Sequence, residues 1–192
     1  MKRIGILGGT FDPPHIGHLL MAEESRIKMN LDEIWWMPNR IPPHKETATD
    51  SLLRERLMMV QHMTDLHEKY ILCDVELKRN GPSYTVDTME LLNEKYAHYE
   101  FFFIIGEDSL QTLDKWHRSD YLKSLVSFIV IRRPGYEHEM EKANNGILFI
   151  EGPTIDVSST DIRKTLKEKK EVNRFLLTKE VYELIKEHQL YE

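Results

Sequence analysis

The run Gly8-Gly9-Thr10-Phe11-Asp12-Pro13-Pro14-His15-Ile16-Gly17-His18 gathers residue types suited to one task, holding an anion while charge develops on it. Paired glycines let backbone N–H groups approach a phosphate closely. Pro14 cannot donate a backbone hydrogen bond and suits the start of a helix, which then offers unpaired N–H groups and a positive dipole end. His15 and His18 are three apart, so both imidazoles fall on one face of the first helical turn. Gly17 between them is expected to leave room for a substrate against the backbone. Two tunable donors aimed at one point fit a phosphorus centre gaining negative charge. Each part has a plainer reading. A His-x-x-His pair also occurs on solvated helix faces or at metal sites, and Gly-Gly after a strand is commonly a turn. Zinc on a helix favours spacings such as His-Glu-x-x-His with a further ligand, and no such third ligand is evident. Glycines, prolines and histidines in this order at one strand–helix junction favour phosphate.

A second run, Ile155-Asp156-Val157-Ser158-Ser159-Thr160-Asp161-Ile162-Arg163, lies near the other end. Ser158 with Asp161 three later reads as an N-terminal capping box. The same helix end can also bind an anion through its N–H groups and hydroxyls, and Arg163 one turn in can fork two phosphate oxygens. Two such helix starts are expected to hold one polyphosphate between them. The Gly-x-x-x-x-Gly-Lys-Ser/Thr loop and the Gly-x-Gly-x-x-Gly dinucleotide fingerprint do not occur, which argues against those nucleotide-binding classes.

These runs need elements to position them. Short apolar stretches predict strands at Arg3–Leu7, Ile34–Met37, Tyr70–Val75, Phe101–Ile105, Ser127–Ile131 and Ile147–Ile150. Helical spacing falls between them, on Leu53, Leu57, Val60 and Thr64 and on Thr88, Met89, Leu92 and Tyr96. Val181, Leu184, Ile185 and His188 follow a candidate cap at Thr178. Alternating strands and helices imply an α/β, Rossmann-like, doubly wound and mostly parallel sheet of about six strands, with helices on both faces. Ligands then bind beyond the carboxyl ends of the strands. No linker divides residues 1–192, which read as a single domain. The most polar loop, Asn39 to Asp50, follows the second strand.

Composition narrows the classes. A 41% apolar content excludes disorder, and no apolar run approaches the ~20 residues of a membrane span. A formal net charge of −6 without a basic stripe argues against nucleic acid. The single Cys73 reads as an inert core thiol, and the chain reads as cytoplasmic. An assembly of identical copies is left open.

With both runs in view, the chain resembles the nucleotidyltransferase superfamily marked by His-x-Gly-His and Ser-Ser-Thr-x-x-Arg. Within it the match is to the bacterial nicotinate-nucleotide adenylyltransferases. Pro43-His44-Lys45, Pro82-Ser83-Tyr84-Thr85, Gly106-Glu107-Asp108 and Trp116-His117 fall in that family's order. Val157 stands where an isoleucine is usual. The resemblance implies adenylyl transfer from ATP to nicotinate mononucleotide, giving deamido-NAD and pyrophosphate, with Mg2+ held mainly by substrate phosphates and no protein ligand assigned to it. It implies His15, His18 and Arg163 as the catalytic groups. ATP is expected on Gly8, Gly9, Thr10, Phe11, Gly106, Asp108, Arg133, Ser158 and Ser159. Nicotinate mononucleotide is expected on Asn39, Lys45, Tyr84, Thr85 and Trp116. The backbone N–H groups of Tyr84 and Thr85 would receive its carboxylate, while Ser83 reads equally well as an ordinary helix cap. Rival readings are an enzyme using nicotinamide mononucleotide or phosphopantetheine, and a nucleotide sensor without turnover.

Overall fold

The computed structural model describes residues 1–40, 52–79, 81–132, 146–153 and 155–192. Six strands form one sheet in the order β3-β2-β1-β4-β5-β6, and every pairing is parallel. The strands are β1 Lys2–Gly9, β2 Glu33–Pro38, β3 Tyr70–Leu72, β4 Tyr99–Gly106, β5 Ser127–Arg132 and β6 Ile147–Glu151. The helices are α1 Ile16–Lys28, α2 Leu53–Thr64, α3 Thr85–Lys95, α4 Glu107–Leu110, α5 Ser119–Leu125, α6 Ser159–Lys167 and α7 Lys179–Glu187.

Strand alternation divides the core into two apolar layers. Ile4 and Ile6 of β1, Trp35 and Met37 of β2, and Phe101, Phe103 and Ile105 of β4 join α3 and α5 through Val86, Met89 and Leu122. Leu7, Ile34, Trp36, Phe102 and Ile104 face the opposite way, against Met59, Val60, Ile162, Val181 and Ile185. Both faces are therefore buried, as a parallel sheet requires. Strand order reverses at β1 and β4, whose Leu7 and Ile104 are register partners. The crevice beyond those two strand ends is where this topology places a ligand.

The third strand is shorter than its apolar run predicts. Cys73 still donates its N–H to the carbonyl of Trp36 at 2.8 Å. The chain then turns, with Leu77 N–H on Asp74 O at 3.0 Å, which carries Glu76 beneath α3. The helical stripe of α2 is also displaced. Its buried face is Arg56, Met59, Val60, Met63 and Thr64, with Leu53 and Leu57 only half-buried. The α7 reading holds for Val181, Leu184 and Ile185 and for the cap, where the Thr178 hydroxyl accepts from Val181 N–H at 3.3 Å, but His188 is the exposed C-cap rather than part of the buried stripe. Cys73 is buried, and burial pushes its thiol up to about 11, which suits an inert core position. Among the described residues, no helix is long and apolar enough to cross a membrane.

Candidate active site

The first loop runs from the carboxyl end of β1 to the start of α1, whose N-cap is His15 in extended conformation. Its Asp12–Pro13 peptide is cis. His15 N–H donates to Nδ1 of His18 at 3.1 Å, and His18 N–H returns to the His15 carbonyl at 2.9 Å. The two rings lie 3.8 Å apart between centroids, on one face of the helix as their spacing predicts. Because Nδ1 of His18 accepts, the neutral ring carries its proton on Nε2. Burial lowers His15 to about 4; burial and the adjacent His15 hold His18 well below the ordinary imidazole range. Both are therefore neutral near pH 7, and an approaching polyphosphate would favour protonating them.

Phe11 sits at φ 50, a left-handed backbone that aromatic residues rarely adopt. Its ring is buried, edge-on to His18 at 5.1 Å and tilted against Trp36 at 5.4 Å. The ring thus supports His18 from the core side, which leaves the Phe11 backbone as the part of the residue that could meet ATP. At Gly17 a Cβ would come to 3.0 Å from both His15 Nδ1 and Val157 Cγ1, so the missing side chain admits the histidine ring and the second motif while the residue still borders a cavity. At Gly106 a Cβ would meet nothing within 4 Å, which leaves that backbone open to close approach.

The second motif folds against the first. Ser158 caps α6, accepting from Asp161 N–H at 3.1 Å and donating to Asp161 Oδ2 at 2.6 Å. Ser159 Oγ donates to the Pro13 carbonyl at 2.8 Å, and Arg163 Nη1 donates to the Asp12 carbonyl at 2.6 Å. The starts of α1 and α6 are thereby fastened side by side. Arg163 Nη2 points toward Thr160 Oγ1 at 3.4 Å.

Two cavities open beyond the strand ends. The larger, about 450 Å³, is lined by Gly8, Gly9 and Thr10 and by the expected acceptor residues Asn39, Tyr84, Thr85 and Trp116. The smaller, about 200 Å³, is lined by His15, Gly17, Arg132 and Val157. His18, Gly106 and Asp108 border both. Ser158, Ser159 and Arg163 border neither and lie at the helix junction just described. Lys45 and Arg133 fall outside the described residues.

The sequence profile of the cytidylyltransferase-like family matches residues 6–165. A Bacillus pumilus protein named probable nicotinate-nucleotide adenylyltransferase is 48% identical over 192 residues, all of both chains. The Bacillus subtilis nicotinate-nucleotide adenylyltransferase is 46% identical over 194 residues, again covering both chains fully. The chain belongs to the nicotinate-nucleotide adenylyltransferase family. The solved Plasmodium falciparum nicotinic acid mononucleotide adenylyltransferase, complexed with NaAD, shares the fold: TM-score 0.83 and 22% identity, covering 100% of this chain and 98% of that one.

Around these cavities, Arg56 and Glu76 carry no signal in the sequence, and His117 stands there only as part of a motif without a role. Arg56 is 3% exposed and donates to the Thr10 carbonyl at 2.7 Å and the Asn39 carbonyl at 3.0 Å, joining the loops after β1 and β2. Asn39 N–H adds a bond to the Gly9 carbonyl at 3.0 Å. Glu76 borders the larger cavity, accepts from Thr88 Oγ1 at 2.9 Å, and is pushed by burial up to about 7. His117 stacks on Tyr84 with centroids 4.3 Å apart. One donor was misassigned. Tyr84 N–H is bonded to the Pro82 carbonyl at 3.0 Å, which leaves Thr85, the first residue of α3, with the unpaired helix-start N–H.

Proposed function

We propose that this nucleotidyltransferase moves the adenylyl group of ATP onto the phosphate of nicotinate mononucleotide, releasing pyrophosphate and forming nicotinate adenine dinucleotide. The observation that carries the proposal is the pair of cavities meeting at His18, Gly106 and Asp108. Two nucleotides seated from opposite sides would bring acceptor phosphate and α-phosphorus together beside the His18 ring. The names of the full-length relatives support the choice of acceptor.

In the forward step an acceptor phosphate oxygen forms a bond to the α-phosphorus, and the bond from that phosphorus to the bridging oxygen of pyrophosphate breaks. A phosphate monoester is mostly dianionic at neutral pH, with a second pKa of about 6, so no general base is needed. Rate acceleration comes from alignment and from donors aimed at growing negative charge. His18 Nε2–H would donate to the transferring phosphate, with His15 beside it. Arg163 and Ser159, at the start of α6, would hold the β- and γ-phosphates. Gly106 would admit the nucleotide and Asp108 would accept from a ribose hydroxyl.

In the larger cavity, Trp116 meets Phe103 edge-on at 6.1 Å and offers an aromatic surface to the pyridine ring. The Thr85 N–H would receive the nicotinate carboxylate. Magnesium prefers hard oxygen donors and keeps much of its water. The described residues bordering both cavities, His18, Met21, Gly106 and Asp108, include one carboxylate, which suits a magnesium ion carried on ATP phosphates. Such an ion would neutralise charge on the departing pyrophosphate.

The test is product accounting with purified protein, ATP, magnesium and nicotinate mononucleotide. One pyrophosphate per dinucleotide formed is the expected result. Release of orthophosphate, or pyrophosphate without a dinucleotide, would reject adenylyl transfer to this acceptor.

A further inference from the structure

The hydroxyl of Tyr191 donates to Oδ1 of Asp12 at 2.6 Å across a separation of 179 residues. The segment that delivers it is seated in the fold. Leu190 is buried, and its N–H bonds to the Ile185 carbonyl at 3.0 Å at the end of α7. Tyr191 itself has φ 69, a backbone conformation rare for a tyrosine and held here by that seating.

Arg163 also lies beside Asp12. Arg163 Nη1 is committed to the Asp12 main-chain carbonyl at 2.6 Å and stands 3.8 Å from the carboxylate Oδ2. A guanidinium beside a carboxylate ordinarily closes into a two-bond fork, because parallel N–H groups match the two oxygens. Here the fork is not made, and the oxygen that would complete it is taken by a phenol. Burial, followed by the charge and hydrogen bond of Asp12, pushes the Tyr191 hydroxyl upward, against opposing pulls from Arg163 and Arg56. The phenol therefore keeps its proton and can only donate to this carboxylate.

We propose that Tyr191 is a positioning residue for ATP: by occupying Oδ1 of Asp12 it keeps that carboxylate from tightening its loose 3.8 Å pairing with Arg163 into a two-bond fork, and so leaves the guanidinium available to phosphate. The inference rests on the role proposed above for Arg163. Asp12 and a polyphosphate are rival anions for one cation, and the phenol satisfies the nearer rival.

The experiment is steady-state kinetics on Tyr191→Phe, Asp12→Asn and the double variant, with ATP and acceptor varied separately and melting temperatures recorded. Tyr191→Phe is expected to raise KM for ATP about three- to tenfold, the scale of rearranging one charge-assisted hydrogen bond, and to leave acceptor KM within about twofold. In the Asp12→Asn background the same truncation is expected to change ATP KM no further, because the competing charge is gone. Wild-type ATP kinetics in Tyr191→Phe would overturn the inference. So would an equal rise in ATP KM in both backgrounds, or parallel losses for both substrates that track a lowered melting temperature. If Tyr191→Phe does not fold, Asp12→Asn alone carries the test: its ATP KM should be no higher than wild type, and a rise would contradict the proposal. Arg163→Lys separates the two readings. If it leaves ATP use unchanged, the role of Arg163 fails; if it weakens ATP use while Tyr191→Phe does not, only the Tyr191 inference fails.

Discussion

His15 lends its backbone N–H to Nδ1 of His18 at 3.1 Å, so the helix cap and the orientation of the proposed phosphate donor are one interaction. The bond fixes the His18 tautomer, and the Phe11 edge at 5.1 Å limits the rotation of its ring. Removing the ring should therefore abolish a preorganised donor without dismantling the fold. His18→Ala is expected to lower kcat by roughly 10²–10³, as for loss of one oriented transition-state donor. Its circular dichroism should match wild type, with about 1 kcal/mol lost from the unmet cap. Turnover near wild type would leave the ring as a cap alone.

The lowered pKa of His15 makes a signed prediction about stability. An unfolded histidine takes its proton near pH 6.5, whereas folded His15 resists it until about 4. The unfolded state then binds more protons across that window, so this contribution is full above pH 6.5 and is lost as pH falls towards 4. His15→Asn keeps a capping residue and removes the titration. Urea unfolding at pH 7 and pH 5 should show wild type losing on the order of 1–2 kcal/mol more than the variant. Parallel losses would mean that His15 titrates normally.

Glu76 carries the opposite sign. Its folded pKa of about 7 lies above the ordinary 4.5, so its contribution is full below 4.5 and is lost as pH rises through 7. Glu76→Gln should match wild type near pH 4 and be the more stable protein at pH 8, by on the order of 1–3 kcal/mol. Ionised Glu76 also borders the cavity proposed for the acceptor carboxylate. Acceptor KM should therefore rise above pH 7 in wild type and stay flat in the variant. A pH-independent difference in stability would place the carboxylate in an ordinary environment.

Much of this arrangement was legible in the sequence, for physical reasons. Apolar strand runs and the Gly8–His18 motif are local signals, and a parallel sheet forces the loops after its strands to one end. The Ser158–Asp161 box is equally local. Arg56 was not legible, since a charged residue at position 56 of a helix reads as solvated until two loop carbonyls are brought to it. Glu76 lay just past what reads as a strand ending at Val75, where a carboxylate gives no local sign of burial. The Tyr84 donor was not legible either, because local sequence does not reveal that the Pro82 carbonyl two residues back takes its N–H, nor that Val157, from the other end of the chain, packs against Gly17.

The aromatic wall makes a prediction about selectivity. Trp116→Ala should raise KM for acid and amide acceptors alike, by on the order of tenfold, since stacking does not distinguish the two groups. Thr85→Ala should keep most of the preference for the acid, because the proposed donor is backbone. Paired kinetics with nicotinate and nicotinamide mononucleotides would read both. A Trp116→Ala protein that loses only its discrimination would contradict this division of labour.

The central claim is tested most directly by kcat/KM for pyrophosphate release from ATP, with nicotinate and nicotinamide mononucleotide offered separately. A carboxylate accepting from the Thr85 N–H gains a charge-assisted bond worth about 1.5–3 kcal/mol, whereas an amide there brings no charge. The account predicts a preference for the nicotinate acceptor of at least about tenfold. Equal values for the two acceptors would contradict it.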